Sequence, residues 1–260
     1  MGCQESTVST KIPLPLGAIE EVEKLLNLQL ISSRKLDLLL HRYSYSNFIP
    51  EKNFLKVCDA LSINYQVTKH FYSLLKITDN GNNKELIFCS RKLCTLGIIY
   101  GSSSELEKVR LLFQNYDIDT SKVLNTYEIS KLVQDVVFIV LEAIPLFAMH
   151  LYPFDSEIMC FIQKFNMAKE YVQDIIVNML MNDSSEITYA AFLKSFKSFQ
   201  VRSLINPKDL RKFCEKIDQR LANMKDVSHS RTKSINIRDF QADLEGSKSK
   251  SIKKSTVSVS

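Results

Sequence analysis

The chain has 260 residues, of which 45% are hydrophobic and 24% charged, a composition that excludes wholesale disorder. Six Gly and six Pro are few for this length, which disfavours a barrel or sandwich of tight hairpins and favours an all-α fold. Of the net charge of +5, the segment 225–260 holds +4, with eight Lys and Arg against four Asp and Glu. The remainder is nearly neutral, so no nucleic-acid-binding face is expected.

The first residues, Met1-Gly2-Cys3-Gln4-Glu5-Ser6, carry an acylation pattern. Loss of Met1 exposes Gly2 for myristoylation, with Ser6 at the favoured hydroxyl position, and Cys3 beside it is placed for palmitoylation. The pairing has a physical reason. One myristoyl chain holds a protein only marginally, at about 0.8 kcal/mol per buried CH₂, so stable residence needs a second signal. Residues 1–16 are expected to form a lipidated arm, placing the protein at the cytoplasmic face of a plasma or ciliary membrane with a partly cytosolic pool.

From Leu16 to Leu210 apolar residues recur at helical spacing: Val22, Leu25 and Leu26; Leu36, Leu39 and Leu40; Phe54, Val57 and Leu61; Phe71, Leu74 and Leu75. Short polar stretches interrupt these helices at a coarse period. The clearest runs from Asp117 to Glu128 and matches a twelve-residue calcium loop. Asp117, Asp119 and Ser121 supply side-chain oxygens at positions 1, 3 and 5, and Val123 its carbonyl at position 7. Asn125 stands at position 9 and Glu128 gives the bidentate carboxylate at position 12. Lys122 departs from the pattern at position 6. Glycine is usual there because the backbone turns left-handed, and lysine adds positive charge beside the cation. One calcium site of reduced strength is expected.

Weaker copies begin at residues 42, 79 and 180. Arg42 to Asn53 places Ser44 and Ser46 at positions 3 and 5 and Ile49 at position 8, with no carboxylate at either end. Asp79 to Ser90 places Leu86 at position 8 and ends on Ser90, which cannot chelate in a bidentate way. Leu180 to Ala191 places Ile187 at position 8 and has lost the last ligand. These three loops are expected to keep the fold without the metal.

The stretch Gly101 to Asp119, running on to Tyr127-Glu-Ile, resembles the third-hand region of the calcineurin B and neuronal calcium sensor (recoverin-like) EF-hand proteins. The resemblance implies two lobes of paired EF-hands over about residues 17–200, calcium sensing, and regulation of a partner through an apolar groove that takes a target's amphipathic helix. The lobes are then 17–100 and 101–205, the second carrying an insertion near 132–165.

That insertion includes the most apolar stretch, 132–152, which Asp135, Glu142, Pro145 and His150 interrupt. A core helix bent at Pro145 is expected there rather than a membrane span. Pro207 opens a further helix, 206–227, with Leu210, Phe213, Ile217 and Leu221 on one face. It either covers the groove or faces a partner. Residues 228–260 read as a disordered basic tail in which Ser234 and Ser255 follow basic residues and are candidate phosphorylation sites. The six Cys show no C-x₂-C pair, the four His are dispersed, and no nucleotide-binding, hydrolase or metalloprotease motif occurs. A non-enzymatic regulator is therefore expected. The alternative is a calcium-independent scaffold that kept the EF-hand fold.

Overall fold

Polar caps mark where the helices begin, and the apolar stripes between them decide how the helices pack. In the computed structural model, which describes residues 16–77 and 87–228, the first helices are α1 (Leu16–Leu25) and α2 (Ser33–Tyr43). A short strand β1 (Phe48–Pro50) leads into α3 (Glu51–Ala60), and α4 (Tyr65–Ser73) starts where the Asn64 side chain accepts the Val67 N–H. Strands β2 (Lys76–Ile77) and β3 (Ile87–Cys89) precede α5 (Ser90–Tyr100). Next come α6 (Glu105–Tyr116), β4 (Val123–Asn125) and α7 (Thr126–Val137), which runs through a π turn (Phe138–Ala143) into α8 (Ile144–Leu151). Asp155 caps the long α9 (Ser156–Met181) by accepting the Glu157 and Ile158 N–H groups. The chain ends in β5 (Glu186–Thr188), α10 (Tyr189–Ser195), α11 (Phe199–Arg202) and α12 (Pro207–Ser228). The protein is mostly helical, in line with the all-α expectation.

Two small antiparallel ladders run between the helices. One is β1–β3–β2, with Ile49 opposite Phe88, and the other is β4–β5, with Leu124 opposite Ile187. Ile49, Phe88, Leu124 and Ile187 all point into the core. In the first ladder the partner of Ile49 is Phe88, two residues beyond Leu86, the residue the 79–90 frame places there. Phenylalanine fills the space beside Phe54, whose ring lies 4.8 Å from it, and this packing sets the register.

The segment 132–165 is not a separate inserted element. Its first part lengthens α7 and its last part opens α9, so one helical run extends over Thr126–Leu151. Pro145 does not end that run. Proline cannot donate to the carbonyl four residues back, and the π turn just before it re-phases the hydrogen bonding. The run is long and apolar enough to cross a membrane, but 72% of its most apolar window is buried inside the protein, as in a core helix.

The expected two lobes share one continuous apolar core. Buried residues from α1 (Ile19, Val22), α4 (Phe71), α8 (Ile144, Phe147), α9 (Phe165, Val172) and α12 (Leu210, Phe213, Ile217) belong to a single cluster. The apolar face of α12 is thus occupied internally, against α9. Arg211, 1% exposed, ties α12 to α1 by a 2.7 Å ion pair with Glu23, which also accepts the Tyr100 hydroxyl at 2.9 Å. Gly2, Cys3, Ser234, Ser255, the arm, the tail and most of the 79–90 loop lie outside the described residues.

Candidate metal centre

The loop between α6 and α7 is built by its own polar side chains. Asp117 ends α6, and its Oδ2 accepts the Lys122 N–H at 3.2 Å. Asp119 Oδ1 accepts the Ser121 N–H at 3.0 Å, and these Ser121 contacts hold the Asp119 carboxyl below its usual range. The Ser121 hydroxyl donates to the Val123 carbonyl at 3.0 Å. Asn125 caps α7 by accepting the Glu128 N–H at 3.0 Å, and Glu128 returns a bond from the Asn125 N–H at 3.0 Å. This reciprocal pair is a capping box.

A helix cap accounts for only one oxygen of Glu128. The other reaches back across the loop to accept the Ile118 N–H at 3.1 Å. The side chain is 3% exposed, so its two oxygens are fixed at the inner wall of the loop. Lys122 has φ 67° and Thr120 φ 57°, both left-handed. Lysine therefore adopts the conformation that glycine favours at position 6, held there by the bond from its N–H to Asp117. Asp117, Asp119, Ser121, Val123, Asn125 and Glu128 all border one loop, and their donor atoms are oxygens, which suits a hard cation such as calcium. A bidentate contact from Glu128 would replace its amide bonds to residues 118 and 125.

The equivalent positions of the other loops cannot do this. Counting four residues beyond each ladder residue, as Glu128 lies beyond Leu124, gives Asn53, Lys92 and Ala191. Asn53 donates to the Tyr43 carbonyl at 3.2 Å. The Lys92 ammonium lies 4.4 Å over the Phe138 ring and 3.9 Å from the buried Asp135. That cation stands where a chelating carboxylate is required. Asp135 also accepts the Tyr116 hydroxyl at 2.9 Å, and Tyr116 lies 2.9 Å from the Thr95 hydroxyl, so a buried polar chain links α5, α6 and α7 directly behind Asp117.

Two juxtapositions escape the sequence reading. His70 on α4 and His150 on α8 stack with centroids 3.7 Å apart, so the four His are not all isolated. Eighty residues separate them and no local signal joins them. Asp37 and His41 on α2 meet Cys94 on α5, with ligand atoms all within 4.8 Å of one another. Here half the signal was legible, because an aspartate and a histidine four apart share one helix face. Cys58, Cys89, Cys94, Cys160 and Cys214 are free thiols. Cys94 is 1% exposed and burial raises its thiol well above the ordinary value, the opposite of an activated nucleophile. Neither a protein-family model, nor a curated protein, nor a solved structure matches the chain.

Proposed function

We propose that this chain is a membrane-anchored EF-hand regulatory protein that binds one calcium ion at loop 117–128 and engages an amphipathic helix of a target protein. The observation that carries the reading is the joint geometry of Lys122 and Glu128. A left-handed residue at position 6 with its N–H on Asp117, and a carboxylate at position 12 reaching back to Ile118, are what wrapping six oxygens around one point requires. The ladder pairing Leu124 with Ile187 at matching loop positions supports paired hands, and Ile49 with Phe88 supports a second pair. Anchoring rests on Gly2 and Cys3 and on the two-signal logic of acylation.

The second reading is a calcium-independent scaffold of the same fold. Asn53, Lys92 and Ala191 at the chelating positions favour it, as does the continuous core that already takes up the apolar face of α12. Calorimetric titration of the full chain with calcium separates the two. A single binding event that disappears in Glu128→Gln is the expected result, and no heat with either protein would leave only the scaffold.

A further inference from the structure

The geometry points to a second metal site, of a different kind, in which Asp37, His41 and Cys94 hold a zinc ion between α2 and α5. Asp37 and His41 are one helical turn apart on α2, and Cys94 faces them from α5. The two helices come close because Gly97, one turn beyond Cys94, lies against Leu36; a Cβ at residue 97 would sit inside contact distance of that side chain.

Two of the three separations match a tetrahedral ion, and the third lies within 4.8 Å. Bonds of about 2.0–2.1 Å to nitrogen and oxygen and about 2.3 Å to sulfur set ligand–ligand edges of about 3.4 Å (N to O) and about 3.6 Å (N to S). The protein has His41 Nδ1 at 3.5 Å from Asp37 Oδ1 and at 3.7 Å from Cys94 Sγ. An ordinary hydrogen-bonded cluster explains part of this, since His41 Nδ1 also lies 2.9 Å from the Asp37 carbonyl. It does not explain Asp37 Oδ1, a buried acceptor without any hydrogen-bond partner, directed at the cluster. Its nearest charged neighbour is His41 Nδ1, at a long 3.5 Å, and a cation held by the three side chains would give this oxygen a closer partner.

The donor set selects the ion. One thiolate, one imidazole and one carboxylate suit a borderline-soft divalent ion and not calcium, so this site and loop 117–128 discriminate by chemistry. Three protein ligands leave the fourth position to water. His41, whose side chain is 57% exposed, provides the way in. On binding, the Cys94 thiol loses its proton to solvent, and the imidazole gives up its Nδ1–H bond to the Asp37 carbonyl and carries its proton on the outer nitrogen, Nε2. The ion would clamp α2 to α5.

The test uses the full chain, reduced and stripped of metal, titrated with Co²⁺ as a spectroscopic stand-in for zinc. The expected result is one equivalent bound with thiolate-to-cobalt charge-transfer absorption, bleached by Zn²⁺ and unaffected by excess Ca²⁺. Cys94→Ser should abolish the absorption. Because Cys94 is buried, His41→Gln gives an independent arm at an exposed position, with circular dichroism as the folding control, and should weaken cobalt binding at least tenfold. No charge-transfer absorption in the wild type, a band that survives His41→Gln unchanged, or a band lost in Glu128→Gln would each overturn the assignment.

Discussion

Replacing Lys122 by glycine separates two effects that the sequence alone merges. At φ 67° the lysine backbone is left-handed. A residue with a Cβ is less stable there by about 1–2 kcal/mol. Glycine relieves that strain but gives back roughly 0.4–1 kcal/mol through the greater freedom of the unfolded chain. The net is a gain of roughly 0.5–1 kcal/mol in folding stability. Because the Lys122 N–H bond to Asp117 already holds the left-handed turn, the relief should enter folding stability more than calcium affinity. Affinity should respond to the charge instead. At one Debye length, about 8 Å at physiological salt, an exposed ammonium changes the affinity for a divalent ion roughly twofold.

The comparison of Lys122→Gly with Lys122→Gln tests this. Both variants lose the charge and only glycine relieves the backbone. Urea unfolding should give a higher midpoint for Lys122→Gly than for Lys122→Gln. Calorimetry should give the two variants the same calcium affinity within about twofold, both above wild type, with the gain fading as salt is added. A tenfold tighter site in Lys122→Gly than in Lys122→Gln would refute the reasoning, since residue 122 would then adopt its left-handed form only on binding.

Arg211→Ala should destabilise the fold by about 3–5 kcal/mol in urea unfolding, because Glu23, which also accepts the Tyr100 hydroxyl, loses the guanidinium that neutralises it in a largely buried position. Gly97→Ala should cost about 1–3 kcal/mol by the same measurement, since the new methyl displaces Leu36 at the α2–α5 crossing. Partial burial and the facing His150 lower the pKa of His70. The unfolded chain then binds the extra proton first, so stability should fall as pH drops below about 6.5, and His70→Gln should flatten that part of a pH series of unfolding midpoints. Gly2→Ala should abolish incorporation of labelled myristate and move the protein to the soluble fraction, and equal labelling would remove the anchor from the proposed function.

What was legible in the sequence is what local chemistry fixes. The bounds of loop 117–128 could be read because residues at fixed offsets from Asp117 also form its cap, Asn125 with Glu128, and its ladder, Leu124 with Ile187. The frame starting at 180 also gives Ile187 as the ladder residue, and Ile187 does face Leu124. The frame starting at 79 misplaces its ladder residue because nothing local distinguishes Leu86 from Phe88. The choice belongs to Phe54, on another helix. The same holds for Asp37, His41 and Cys94, and for His70 with His150, where helix packing and not spacing brings the groups together. The sequence also did not show that apolar stripes on α1, α8 and α12 join one continuous buried cluster, because that contact depends on helices far apart in the chain.

That continuous cluster constrains how a calcium signal could leave loop 117–128. Tyr116 immediately precedes Asp117, and its hydroxyl joins Thr95 of α5 to Asp135 of α7 in the buried chain that also holds Lys92 and Lys131 near Asp135, at 3.9 and 3.5 Å. A cation drawing Glu128 away from Ile118 acts on the first turn of α7, two turns before Asp135. Rotation of α7 would therefore meet α5 through this polar chain before it could open any apolar surface. Removing one member leaves the others buried and unsatisfied, so the chain favours one arrangement of the three helices. In a regulator of this build, calcium would shift how α5, α6 and α7 share Asp135, and a target helix would have to recognise that change on the outer faces of the helices, because their inner faces are already filled.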